Sequence, residues 1–143
     1  MTLSPLEIAQ RSAEAMWAND DASKWLGMSL DEIGPGTAVT SMTVEQHHTN
    51  GHDICHGGYI FTLADTAFAF ACNSYNQIVV AQSNTITFVA PGMLGDRLTA
   101  RCRELARFGR SGIYDVSVTN QDGRIIAEFR GNSRVIKGQH FAE

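Results

Sequence analysis

The strongest constraint in this chain is an apolar run over 58–74, G-Y-I-F-T-L-A-D-T-A-F-A-F-A-C-N-S. It is too long for a single strand and hydrophobic nearly all round, so it predicts a helix that the rest of the chain must enclose. One carboxylate, Asp65, interrupts it. An acid on such a helix must be paired, kept protonated or put to use. The loop before it, N-G-H-D-I-C-H-G-G, ends in Gly57 and Gly58 at the expected helix N-terminus. Backbone N–H groups point outward there and favour developing negative charge.

Most of the remaining chain reads as strand. Before it, Ser4, Pro5 and Glu7 form a helix start, with Ser4 as N-cap, and predict a helix to about Ala18. A second short helix over 22–26 ends at Gly27. Strands are expected over 28–33 and 37–44, around a Gly34-Pro35-Gly36 turn. The segment 45–55 is polar and irregular. Strand patterns return over 78–89, 97–105, 113–119 and 124–136. Gly109 and Gly112 flank one turn, Asn120 to Gly123 make a hairpin, and Gly131 is a candidate bulge. The expected class is α+β: two strands, the long helix, then a four-stranded meander, with a curved antiparallel sheet around the helix. We expect one domain over 1–143, with a helical segment over 1–27 and a loose tail over 137–143.

At 143 residues, 43% apolar and 18% charged, the chain can bury one core. A net charge of −4 argues against nucleic-acid partners. The opening M-T-L-S-P-L-E-I-A-Q lacks a signal peptide's basic and apolar regions, and no run reaches the roughly 20 residues of a membrane span. Cys55, Cys72 and Cys102 cannot all pair within the chain, so a reduced, cytoplasmic setting is expected.

Each notable residue has a plain structural reading beside its functional one. Asp65 could be a hydrogen-bonded structural acid or a catalytic group. Gly57 and Gly58 could serve only a tight turn, or could offer N–H donors to an oxyanion. Asn50-Gly51 could be a turn. Thr62, Asp65, Thr66 and Ala69 share one less apolar stripe of the helix, the side expected to face a reaction cavity. His47, His48, His52, Cys55 and His56 invite a metal, but a zinc site needs three or four converging ligands, and no metal is expected.

The segment H-G-G-Y-I-F-T-L-A-D-T-A-F-A, His56 to Ala69, resembles the hotdog-fold acyl-CoA thioesterases, in particular those of phenylacetate degradation. The end of the chain, G-R-S-G-I-Y-D-V-S-V-T-N-Q-D-G-R-I-I-A-E-F-R-G-N-S, fits the same family, so the likeness spans roughly 13–136. It implies a hotdog fold, an obligate homodimer usually paired into a homotetramer, and active sites where the loop of one subunit meets the helix acid of the other. It implies hydrolysis of an acyl-CoA such as phenylacetyl-CoA or a hydroxylated derivative, with no cofactor beyond the CoA that belongs to the substrate.

By the same resemblance, Asp65 is general base or nucleophile, and Gly57 or Gly58 binds the thioester oxygen. Asn50 orients substrate and His56 supports the loop. Ser83 stands where relatives use a hydroxyl to hold the attacking water, with Gln82 or Asn84 as alternatives and a surface serine as the plain reading. Among the arginines, Arg107 and Arg110 beside Phe108-Gly109 are the candidates for CoA phosphate, since Arg pairs well with phosphate. Two other readings stay open: a hydratase or dehydratase with His52 or His56 as base, and a non-catalytic acyl-CoA binder.

Overall fold

The computed structural model describes residues 2–143. Helix α1 (Pro5–Ala18) opens with a complete capping box, in which Ser4 Oγ accepts from Glu7 N–H at 3.1 Å and Glu7 Oε1 accepts from Ser4 N–H at 3.1 Å. Helix α2 (Asp21–Trp25) follows, capped by Asp20, and Gly27 leaves it at φ +78°. Strands β1 (Ser29–Gly34) and β2 (Thr37–Thr43) form a hairpin. A short 3-10 turn (Gln46–His48) leads to the long helix α3 (Gly57–Cys72). Strands β3 (Val79–Phe88), β4 (Arg97–Phe108), β5 (Ser111–Thr119) and β6 (Ile125–Val135) complete the chain.

All six strands lie in one antiparallel sheet of order β1-β2-β4-β5-β6-β3. The expected four-strand meander is therefore three strands, β4-β5-β6. Strand β3 passes to the far edge and pairs with β6, while β2 takes the place beside β4. Alternation tells a strand which face is apolar but not which neighbour it takes.

Helix α3 lies across one face of this sheet and touches every strand. Ile60, Leu63, Ala64, Ala67, Phe68, Phe70 and Ala71 are each at most 3% exposed, as the all-round apolar pattern requires. They meet the inward residues of the strands, among them Met42, Leu98, Ala100, Val116, Val118 and Phe129.

Gly131 is not a bulge. Its pairings to Tyr114 and Asn84 are regular, and an added Cβ would stand 2.7 Å from the Phe68 ring. The glycine makes room for a helix aromatic to lie on the sheet. Gly112 likewise sits inside β5, paired with Arg107, rather than flanking its turn. The tail is not loose either. The Asn76 amide accepts from the N–H groups of His140 and Phe141 and donates to the Phe141 carbonyl, and His140 Nε2 reaches Asn73 Oδ1 at 2.8 Å.

Candidate active site

The loop before α3 is pinned from both sides. Cys55 N–H donates to the Gly92 carbonyl at 2.7 Å and His56 N–H to the His48 carbonyl at 2.8 Å. His48 is fully buried. Its Nδ1 accepts from Glu45 N–H, so its Nε2 carries the proton donated to the Leu26 carbonyl. That histidine holds the loop to the helical segment and is unavailable to a metal. Among the described residues, no three His, Cys, Asp or Glu side chains converge as metal ligands.

His56 is the N-cap of α3. Its Nδ1 accepts from Gly58 N–H at 2.9 Å, and its carbonyl accepts from Tyr59 and Ile60 N–H. Of the first-turn donors, Gly57 N–H alone has no acceptor among the described residues. The two glycines are thus not equivalent: Gly58 completes the cap and Gly57 offers a free amide at the positive helix end. Gly57 opens into a cleft of about 350 Å³ lined by Ile54, Cys55, Ile60, Phe88 and Val89. The Phe88 ring stands 3.0 Å from where a Gly57 Cβ would lie, so a side chain there would enter the cleft. Burial pushes the Cys55 thiol up to about 11, which keeps this neighbour protonated and non-nucleophilic.

Asn50 is exposed, and its Oδ1 accepts from His52 N–H at 3.0 Å, which makes the turn its residue type suggests. Its Nδ2 has no acceptor among the described residues.

Asp65 lies eight positions beyond Gly57, about 12 Å along the helix axis. It is half-buried on a partly open stripe with Thr62 and Ala69, whereas Thr66 is buried. The hydroxyls of Thr62 and Thr66 donate to the carbonyls of Gly58 and Thr62, so neither competes for the acid. Desolvation by burial raises the Asp65 pKa above the usual carboxylate value, and a hydrogen bond from Asn84 opposes that rise. Asn84 Nδ2 donates to Asp65 Oδ1 at 3.0 Å.

Ser83 does not face the acid. Its Oγ accepts from Asn132 Nδ2 at 3.2 Å on the opposite side of the sheet. Counted in twos from buried Val79, Ser83 would point at the helix. A bulge between Ala81 and Ser83 leaves Gln82 unpaired and reverses the phase, so Asn84 points inward instead. A bulge of this kind leaves no Gly or Pro signal in V-V-A-Q-S-N-T-I-T-F.

The two arginines lie elsewhere. Arg107 stacks on Tyr75, its guanidinium carbon 3.6 Å from the ring centroid, and stands 3.9 Å from Glu104. Tyr75 follows the end of α3, so this cluster and Gly57 are separated by the length of a 16-residue helix, about 24 Å. Arg110 lines a separate cleft of about 380 Å³ with Val135, Ile136 and Lys137 and has no carboxylate partner among the described residues. The structure thus brings Asp65 together with Asn84, and Gly57 together with Phe88, but places Ser83, Arg107 and Arg110 away from both.

Comparison with known proteins identifies the family and fold that carry these residues. The family profile described as "Thioesterase superfamily" matches residues 52–127, which contain the loop from His52 onward, α3 and Asn84. The acyl-coenzyme A thioesterase PaaI of Escherichia coli K12 is 45% identical over 130 residues, covering 91% of this chain and 93% of that protein. The solved structure of E. coli PaaI, from the phenylacetic acid degradation operon, superposes with a TM-score of 0.93 at 43% identity, covering 95% of this chain and 99% of that one. A hypothetical thioesterase of Streptococcus pneumoniae, solved with coenzyme A, aligns at a TM-score of 0.75 and 26% identity over 79% of this chain and 90% of that one. With its helix wrapped by a six-stranded antiparallel sheet and its profile match over the acid-bearing segment, the chain belongs to the thioesterase superfamily and has the hotdog fold.

Proposed function

We propose that this chain hydrolyses acyl-CoA thioesters to a free acid and CoA, with an arylacetyl group such as phenylacetyl or hydroxyphenylacetyl as the acyl part. The observation that carries the reading is Asp65: a half-buried carboxylate on the open stripe of an otherwise apolar helix, fixed by one amide, in a superfamily of thioester hydrolases. The E. coli relative supports the acyl-CoA class, and the operon of its solved structure supports the arylacetyl group.

In this reading the thioester oxygen accepts from Gly57 N–H, with the acyl group against Ile60 and Phe88. Asp65 takes one proton from a water, whose oxygen attacks the thioester carbon as the C=O electron pair moves onto oxygen. Collapse restores the C=O and breaks the C–S bond, and the proton held by Asp65 passes to the departing sulfur. Direct attack by Asp65 would give the same products through an anhydride that water then cleaves. Asn50 orients the substrate through its free Nδ2, His56 keeps the loop in place, and Arg110, which lacks a carboxylate partner among the described residues, is the stronger of the two arginine candidates for CoA phosphate. The substrate brings its own CoA, and the reading calls on no further cofactor. A reducing, cytoplasmic setting suits the three free, buried cysteines.

The site as read needs two copies of the chain. Gly57 and Asp65 are about 12 Å apart along one helix, too far to hold and attack one carbonyl. Strand β3 is a ten-residue sheet edge without a charged side chain; it ends in Phe88, 51% exposed, and is followed by Val89, 57% exposed. Such an edge is suited to pairing with a second copy. A homodimer joined there, and further paired as a homotetramer, would set Gly57 of one protomer against Asp65 of its partner.

A hydratase would want a histidine paired with an acid; neither His52 nor His56 hydrogen-bonds a carboxylate. The test is a steady-state screen over aryl, short and long acyl-CoAs with wild type and Asp65→Asn. We expect hydrolysis that favours arylacetyl thioesters and is lost in the variant; full activity of the variant, or crotonyl-CoA hydration without hydrolysis, would overturn the reading.

A further inference from the structure

Asn84 is the only side chain that hydrogen-bonds Asp65 among the described residues, and its contact is one-sided. Nδ2 donates to Asp65 Oδ1 at 3.0 Å, while Asn84 Oδ1 is enclosed and has no donor. An asparagine kept only for packing would have both ends of its amide satisfied, and an enclosed carbonyl without a partner asks for another explanation. Here the Nδ2 end of the amide is committed to the carboxylate and the carbonyl end goes unpaired, so the amide is held for its contact with Asp65.

The orientation of the amide follows from the same geometry. Turned over, it would set a carbonyl against an ionised carboxylate, which is repulsive; as placed, its N–H favours the charged form of Asp65. Because it binds Oδ1, it also fixes the side chain and leaves Oδ2 without a partner among the described residues.

We propose that Asn84 is a positioning residue of this site, whose amide keeps Asp65 ionised and aimed as a base, so that it sets the pH range in which the enzyme works. The inference rests on the hydrolase reading above.

The charge environment allows this role to one neutral group. Along α3 the other titratable neighbour coupled to Asp65 is Cys72, which burial holds protonated to about 12. From the sheet, the inward titratable side chains are Cys102 and Glu104 of β4 and Tyr114 of β5. Tyr114 Oη donates to Glu104 Oε1 at 2.8 Å, and the two form a cluster with Tyr75 beyond the far end of α3. Burial and Asn84 are the influences acting on Asp65 itself, and they oppose one another. Removing the amide leaves burial alone, so the acid needs a higher pH to ionise.

The test is the pH profile of kcat/KM on phenylacetyl-CoA for wild type, Asn84→Leu and Asn84→Asp. For Asn84→Leu we expect the acid limb to move up by about half a pH unit or more. We expect kcat to fall about tenfold or more, with KM within about twofold of wild type. Asn84→Asp, of the same size, puts two carboxylates on one proton and should move the limb further; it carries the test if the leucine variant does not fold. Superimposable acid limbs, or a loss confined to KM, overturn the proposal. If Asp65→Asn is inactive while both Asn84 variants keep the wild-type limb and kcat, this inference alone falls; if Asp65→Asn stays active, the reading of the site falls with it.

Discussion

Gly58 N–H donates to Nδ1 of His56 at 2.9 Å, and that bond separates the roles of two adjacent glycines. Gly58 is taken up by the helix cap, so the oxyanion donor, if the site works as proposed, is Gly57. Proline is well tolerated at the first position of a helix, and His56 before it already has the extended backbone (φ −58°, ψ 131°) that a following proline prefers. Gly57→Pro therefore deletes one N–H at little backbone cost, while its ring, like an alanine Cβ, enters the cleft beside Phe88. We expect the protein to fold and kcat to fall about 100- to 1000-fold. Gly57→Ala keeps the N–H and adds a Cβ 3.0 Å from the Phe88 ring, which is 51% exposed and free to shift. Its loss should be smaller, about tenfold. Equal losses in the two variants would assign the effect to bulk rather than to the amide.

Asp65→Asn should separate activity from stability. Loss of the base should lower kcat by about 100-fold or more. Burial raises the Asp65 pKa above the usual 3.8, so the folded chain holds this proton more tightly than the unfolded chain does. Stability then falls as pH rises from 3.8 through the folded value, and at neutral pH the charged acid is a burden to the fold. The asparagine variant should be the more stable at pH 7, with its urea midpoint moved to higher urea. A variant less stable than wild type would mean that the carboxylate holds the fold together.

What was readable in the residues was what is decided locally. The Ser4 cap, the Pro5 start, the end at Gly27 and the enclosed helix carrying Asp65 all follow from spacing within a few residues. Three features were not readable. Strand β3 finds its partner in β6, 39 to 56 positions away, and nothing in its own sequence names that partner. The bulge at Gln82 exchanges the two faces of β3, so the phase set by Val79 points to Ser83 while the fold presents Asn84. The tail carries little apolar pattern because amide and imidazole hydrogen bonds, not burial of a hydrophobic face, hold it down. Long-range pairing and polar locking leave weak periodic signals, and the second and third of these features lie at the acid and at the end of its helix.

Gly131 supports the placement of α3 and hence of Asp65. Its missing side chain lets the Phe68 ring lie on β6, where an alanine Cβ would stand 2.7 Å from the ring. Phe68 is 1% exposed and cannot swing away without displacing Tyr114 and Phe129. Gly131→Ala should destabilise by about 1–3 kcal/mol in denaturant unfolding. An unchanged midpoint would show that the helix slides at no cost.

The tail makes a separate prediction about pH. His140 Nε2 donates to both Asn73 Oδ1 and the Gln77 carbonyl, while Asn73 joins the end of α3 to the start of β3. Burial lowers the His140 pKa below 6.5. The unfolded chain therefore takes up this proton first as pH falls, and the stability His140 gives above pH 6.5 is lost as pH drops through its folded value. His140→Ala should lose about 1–2 kcal/mol at pH 7.5, and the difference from wild type should shrink at acid pH. A difference constant between pH 7.5 and pH 5 would remove His140 from the account.

The most direct check of a site shared between protomers is to mix two inactive variants. If Gly57 of one protomer serves Asp65 of its partner, each homodimer of Gly57→Pro lacks both amides and each homodimer of Asp65→Asn lacks both acids. A mixed dimer has one site that carries both lesions and one that is intact. Unfolding and refolding the two variants together at equal concentration makes half of the dimers mixed, with half of their sites intact. Activity should therefore return to about a quarter of wild type, from a background at least about 100-fold below it. Two half-sites within one protomer would give no recovery, since every chain in the mixture is defective in one of them. The same mixture with a charged residue set into the β3 edge, Thr85→Lys, should lose the recovery together with the dimer, as judged by sedimentation.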